Sequence, residues 1–197
     1  MSPRIASSVR RAEIMEAALR CLQRTGYSGL SMDDIVIESG LSKGTIYWHF
    51  KNKKDLFINL FENMIRQAVA GFTPLLTQEI PAAEKLHQIL SSVSQIADED
   101  LKFVSLPLTL MTEMLNDEDF IDRYQRIVSE FANEVQAIIE QGIIDGEFKE
   151  VDSYETAWAL MSVYDGLLLY HVLNMPGSVK KQNAIMADLV VAGLKNN

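Results

Sequence analysis

An all-α fold is what this 197-residue sequence predicts, on three observations. Apolar residues recur at helical spacing along nearly the whole chain, and no stretch alternates in the strict manner of a half-buried strand. Glycines, prolines and short acidic runs interrupt the pattern at intervals that suit helices, about nine in all. The hydrophobic share of 48% and charged share of 23% are those of a globular chain with ample core, which excludes wholesale disorder.

Each helix has its own justification. The first spans about residues 8–25, with Ile14, Ala18, Cys21 and Leu22 as its inner stripe, and Gly26 ends it. Ser31 caps a short second helix, with Asp34 at capping-box distance, and Gly40 stops it after Ser39. Ser42 caps a third helix from Lys43 to about Phe50. A fourth starts near Asn52 and carries Leu56, Leu60, Met64 and Ala68 towards Phe72. Beyond Pro74, helices are expected at about 82–97, 101–115, 117–141, 152–174 and 180–195. Their breaks are Pro81, Asp98-Glu99-Asp100, Asn116-Asp117, the stretch from Gly142 to Gly146, and Pro176-Gly177. Pro107 should kink or divide the helix it sits in. The 117–141 segment has a clean stripe of Phe120, Tyr124, Ile127, Phe131, Val135 and Ile138.

Charge divides the chain into two parts. Residues 1–54 carry nine basic and five acidic side chains, a balance of +4, within a total of −9; the remainder, 55–197, therefore holds −13. A basic head suits a polyanion and an acidic body suits something else. The expected domain division follows, with residues 1–54 as one unit and 55–197 as the other. No apolar run approaches the roughly 20 residues of a membrane span, and no secretory signal opens the chain, so a cytoplasmic protein without a membrane partner is expected. The single cysteine, Cys21, cannot build a disulfide framework or a cysteine-based zinc site. Neither metal nor cofactor is expected. His49, His87 and His171 are scattered, and no HExxH, phosphate loop or paired-base motif occurs, which argues against an enzyme.

Helix, glycine-containing turn and short helix over residues 31–50 is the arrangement of a helix-turn-helix. In its second helix Ile46 and Phe50 form an apolar pair that can hold the core, while Lys43 and Tyr47 point elsewhere with Gly44 and Trp48 beside them. Gly44 lets the helix come close to a duplex, and Lys43 and Tyr47 can reach base edges or phosphate. Thr45, Tyr47, His49 and Lys53 offer donors for phosphate oxygens, and Ser42 opens the helix. The same residues have blander readings: Tyr47 and Trp48 as core aromatics, His49 as a structural histidine, Lys51, Lys53 and Lys54 as a solvated helix start.

Gly26, Ser31, Asp34-Ile35, the run Ser39-Gly40-Leu41-Ser42-Lys43-Gly44-Thr45-Ile46-Tyr47-Trp48-His49-Phe50-Lys51-Asn52-Lys53, and Leu56 closely resemble the signature of the TetR family, one-component bacterial transcriptional repressors. The match covers roughly residues 8–60. It implies a three-helix DNA-binding head on an all-helical, ligand-binding and dimerising body. Carried over position by position, Lys43, Gly44 and Tyr47 correspond to groove-facing positions. Ser31, Thr45, Tyr47, His49 and Lys53 correspond to phosphate-contacting ones. Two departures stand out: Val36-Ile37-Glu38-Ser39 in place of a small, alanine-rich pattern, and the acidic Asp33 where some members place a basic residue near DNA. The body resembles the family only loosely, through the run from Gln141 to Phe148 and Asp165-Gly166-Leu167-Leu168.

The candidate effector pocket draws on the body's methionines and aromatics, Phe103, Met111, Met114, Tyr124, Trp158 and Met161, with the polar Glu113, Asp165 and His171 on apolar helices. Each is also ordinary core filling, and a buried carboxylate needs a partner, which a cationic ligand could supply. The last two helices are apolar over more than one face, which points to a homodimer. Its two recognition helices would meet successive major grooves about 34–36 Å apart on a near-palindromic operator. A repressor released by a small molecule is expected; the alternative keeps the DNA binding and drops the ligand.

Overall fold

The computed structural model describes residues 3–96 and 101–196, with side chains described for 7–96, 106–107 and 110–196. The chain divides into two compact units, Met1–Met64 and Ile65–Asn197. Among the described residues there are nine α-helices longer than one turn, one single-turn helix and one 3-10 turn, and no strand.

The first unit holds α1 (Pro3–Gly29), α2 (Met32–Ser39), α3 (Lys43–His49) and the start of α4 (Lys53–Ala70). Gly26 breaks α1 as expected: at φ 70° and ψ 171° it leaves helical geometry, in the left-handed half of the map that favours glycine. Ser31 and Asp34 form the expected capping box, with Asp34 N–H donating to Ser31 Oγ at 3.2 Å and Ser31 N–H to Asp34 Oδ2 at 2.7 Å. Gly40 closes α2 at φ 66°. Ser42 Oγ accepts from Thr45 N–H at 3.1 Å, and Phe50 then turns to extended backbone. A second reciprocal cap starts α4: Asn52 Oδ1 accepts from Asp55 N–H and Asp55 Oδ2 from Lys51 N–H, both at 2.8 Å. Ile14, Ala17, Ala18, Ile35, Ile46, Phe50, Leu56 and Phe57 are fully buried, so four short amphipathic helices share one core.

The second unit holds α5 (Thr73–Leu76), α6 (Ala82–Leu90), a 3-10 turn (Ser92–Gln95), α7 (Leu101–Met114), α8 (Glu118–Ile144), α9 (Ser153–Val172) and α10 (Val179–Leu194). Its main core gathers Leu86, Leu90, Val135, Ile139, Phe148, Ala157, Leu160 and Ala187. The expected 82–97 helix stops at Leu90, and a distant side chain is the reason. Buried Asn183 donates to Leu90 O at 2.7 Å and accepts from Ser94 N–H at 3.0 Å, replacing the bonds a continuing helix would make. The α7 helix runs on past Pro107, so the proline does not divide it. The α8 helix extends three residues beyond the expected 141, to Ile144. Glu147 then accepts from the first free amides of α6, Ala82 and Ala83, both at 2.9 Å, where a carboxylate favours the positive end of the helix dipole. No helix among the described residues is long and apolar enough to cross a membrane.

Candidate functional site

The α3 helix is anchored on one side and bare on the other. Ile46 and Phe50 are fully buried, whereas Tyr47 is 43% and Trp48 73% exposed. Of the two readings open for these aromatics, the core one is excluded by that exposure. Lys43 and Gly44 are also exposed, and a β-carbon built on Gly44 would meet nothing nearer than Ser42 Oγ at 3.9 Å. The fold therefore does not require glycine there.

The polar candidates are largely engaged within the unit. Ser42 and Thr45 share a hydroxyl hydrogen bond of 2.8 Å, and Ser31 Oγ donates to Asp34 Oδ2 at 2.7 Å. His49 is half-buried, its ring edge-on to Trp48 at 4.5 Å. Burial, and then the Arg11 charge, pull its pKa below the ordinary value, which favours neutral imidazole. The Lys53 ammonium lies 4.2 Å over the Tyr27 ring. Sequence reasoning missed two ion-pair sets. Lys43 Nζ donates to Asp33 Oδ1 at 2.7 Å. Glu38 accepts from Arg20 at 2.7 Å and Arg24 at 2.6 Å; with Lys43, and with Arg10 against Glu13, at least four of the head's nine basic residues are paired within the fold. The two signals were the departures already noted, an acid at Asp33 and another at Glu38.

The body residues fall in separate places. Tyr124 O–H on α8 donates to Asp165 Oδ2 on α9 at 3.3 Å. Burial raises the Asp165 carboxyl above the usual carboxylate range, with the Tyr124 bond opposing, and pushes both Tyr124 and its neighbour Tyr164 upward. Met111 and Tyr164 pack against a small buried cluster of Val93, Leu168 and Val179. Trp158 and Met161 belong instead to the main core, and Met114 is buried. Glu113 is on an exposed position of α7, and His171 lines a surface depression of ≈ 180 Å³ with Tyr170, Met175 and Gln182. The Phe103 side chain lies outside the described residues. Among the described residues no three His, Cys, Asp or Glu side chains gather as a metal ion would require.

Val163 and Tyr170 on α9 and Leu173 at its C-cap are 45%, 54% and 58% exposed, and Ile185 and Leu189 on α10 are 58% and 69% exposed. Spacings of three, four and seven put each set on one helix face.

Comparison with known proteins agrees at both ends of the chain. Residues 14–60 match the model of bacterial regulatory proteins of the tetR family, and residues 82–195 that of the BetI-type transcriptional repressor C-terminal region. A fatty acid metabolism regulator protein of Bacillus subtilis is 26% identical over 188 residues, covering 93% of this chain and 95% of that one. Two solved structures share the fold. A TetR transcription regulator from Haloarcula marismortui superposes with TM-score 0.83 at 21% identity, covering 96% of this chain and 100% of that one. The transcriptional regulator FadR from Bacillus subtilis, solved with stearoyl-CoA, superposes with TM-score 0.73 at 22% identity over 93% and 98%.

Proposed function

Since the chain belongs to the TetR family, and is by that membership a DNA-binding transcriptional regulator and not an enzyme, we propose that it is a dimeric repressor of a near-palindromic operator, released by a small molecule. The observation that carries the DNA part is the bare face of α3: Lys43, Gly44, Tyr47 and Trp48 exposed over a buried Ile46–Phe50 anchor. In this reading Lys43, Gly44, Tyr47 and Trp48 face the groove, and Ser31, Ser42, Thr45, His49 and Lys53 face the backbone. DNA binding belongs to 1–54, and effector binding and dimerisation to 55–197, in the cytoplasm. The apolar stripes of α9 and α10 support a four-helix interface with a second copy, because exposed Leu and Ile in series are costly to leave in water.

The Tyr124–Asp165 pair beside the Met111 and Tyr164 cluster supports the effector role. A half-buried carboxyl with one long partner bond has capacity for a ligand polar group, and its surroundings suit an apolar chain. The Bacillus subtilis structure makes a long-chain acyl-CoA the first ligand to test. Coupling then requires only that the ligand bind one conformation more tightly than the operator-binding one. The filling of the body by buried Met114 and Met161 favours the second reading, a regulator without a small-molecule ligand.

The test combines thermal shift with DNA binding. Palmitoyl-CoA, stearoyl-CoA and cationic lipophiles are added to the purified protein, and the operator is recovered by selection from random duplexes. A ligand that raises the melting temperature and releases the operator supports the proposal. Operator binding that no compound alters moves the assignment to the ligand-free reading, and failure to enrich any duplex overturns the DNA part.

A further inference from the structure

The Lys43–Asp33 contact has a consequence for operator choice. Asp33 sits in the first turn of α2, where Asp34 already closes the capping box, so helix initiation does not need a second acid. Both partners are well exposed, at 61% for Lys43 and 69% for Asp33, and exposed ion pairs add little to stability. The Lys43 ammonium is nevertheless held at 2.7 Å from Asp33 Oδ1 and lies 5.9 Å from the Tyr47 ring centroid. A side chain with three donors and a long flexible stem is thus pinned beside the aromatic residue it shares a face with.

We infer that Asp33 is a specificity-determining residue: it withholds the Lys43 charge from phosphate and reserves it for base edges, lowering affinity for non-operator DNA. This rests on the reading of α3 as the recognition helix. The physical argument is an asymmetry between phosphate and bases. A phosphate can take the ammonium, but then leaves the Asp33 carboxylate facing a negative backbone. A base-pair edge satisfies both members at once, because guanine O6 or N7 accepts from the ammonium while a cytosine or adenine amine donates to the carboxylate. Sequence-independent attraction comes from phosphate neutralisation, so a lysine already neutralised within the protein contributes little to it. Discrimination rises because binding to the wrong sequence is weakened more than binding to the right one.

The experiment measures equilibrium binding of wild type, Asp33→Asn, Lys43→Ala, the double variant and Asp33→Glu across a salt series. One probe is the duplex that wild type selects from a random pool, and the other is a random-sequence duplex. Asp33→Asn is expected to tighten binding to the random duplex on the order of 3- to 10-fold, with a salt slope steeper by about one phosphate contact. Its operator-to-random ratio falls accordingly. In the Lys43→Ala background the gain disappears, and Asp33→Glu, which keeps the carboxylate, keeps the wild-type ratio. An unchanged ratio in Asp33→Asn overturns the inference. So does a gain that persists in full without Lys43, because Asp33 then acts by plain repulsion. If wild type enriches no duplex at all, the recognition-helix reading fails and takes this inference with it, a result distinct from an unchanged ratio.

Discussion

Gly44 is a residue at which folding and the proposed binding can be tested apart. It lies inside α3 with open space where a β-carbon would stand, the nearest atom being Ser42 Oγ at 3.9 Å. Alanine favours a helix over glycine by up to about 1 kcal/mol. Gly44→Ala should therefore unfold at an equal or higher urea concentration than wild type, while operator affinity falls roughly tenfold, about 1.4 kcal/mol. Parallel urea and fluorescence-anisotropy titrations check both halves; an unchanged affinity would remove close approach as the reason for glycine. Asp165 gives a residue-scale prediction about pH. Its folded carboxyl binds a proton more tightly than the unfolded one, chiefly through burial. Stability from this group is complete below the usual carboxylate range and is lost as pH rises through the raised value. Asp165→Asn should flatten that decline, read as urea midpoints from about pH 4 upward. Glu38 acts in the opposite sense, because hydrogen bonds from Arg20 and then Arg24 lower its pKa. Its contribution is present above the usual range and is lost as pH falls through the lowered value.

At the scale of elements, the end of α8 is set by one close approach. A β-carbon on Gly142 would stand 2.2 Å from Phe148 Cδ2, far inside contact distance, and Phe148 is itself 1% exposed. The chain after α8 folds back so that this ring lies on the helix it has just left. Lys149 N–H then donates to Leu194 O at 2.9 Å, tying the turn to the end of α10. Gly142→Ala should cost roughly 1–3 kcal/mol in urea unfolding, the usual range for an overpacked core, despite the better helix propensity of alanine. Adding Phe148→Leu should recover part of that loss, since the two changes share one contact. Asn183 shows the same dependence in a different chemistry: the carbonyl and amide it satisfies are those at which α6 gives way to the 3-10 turn.

For the whole molecule, the paired question is what the basic head and the apolar stripes do. At least four of the nine basic side chains of residues 1–54, Arg10, Arg20, Arg24 and Lys43, are held by Glu13, Glu38 and Asp33, so in the proposed reading they add less to sequence-independent attraction for DNA than free cations would. The stripes on α9 and α10 carry the dimer proposal. Leu189→Asp, 69% exposed, should leave helicity unchanged by circular dichroism and shift sedimentation at micromolar concentration from dimer to monomer. Operator affinity should then drop by more than about tenfold, because a single recognition helix reads only one half-site. A dimeric Leu189→Asp variant with full operator affinity would sink the proposed interface.

What the sequence determined by itself was local. Caps at Ser31 and Ser42, the break at Gly26 and the stop at Gly40 depend on residues within a turn of one another, so spacing alone reveals them. Helical period likewise reveals the buried Ile46–Phe50 pair, whereas the choice between core and surface for Tyr47 and Trp48 was made by the structure. Only the tertiary structure decided which charges are paired and which carboxyl is half-buried. Lys43 meets an acid ten residues away, Tyr124 an acid 41 away, and Asn183 a carbonyl 93 away. It also divided the effector candidates between the Tyr124–Asp165 pair, the main core and the surface near His171. The physical reason is that a cap is closed by the chain's own next turn, whereas a pair between distant residues exists only where packing brings their helices to hydrogen-bond distance.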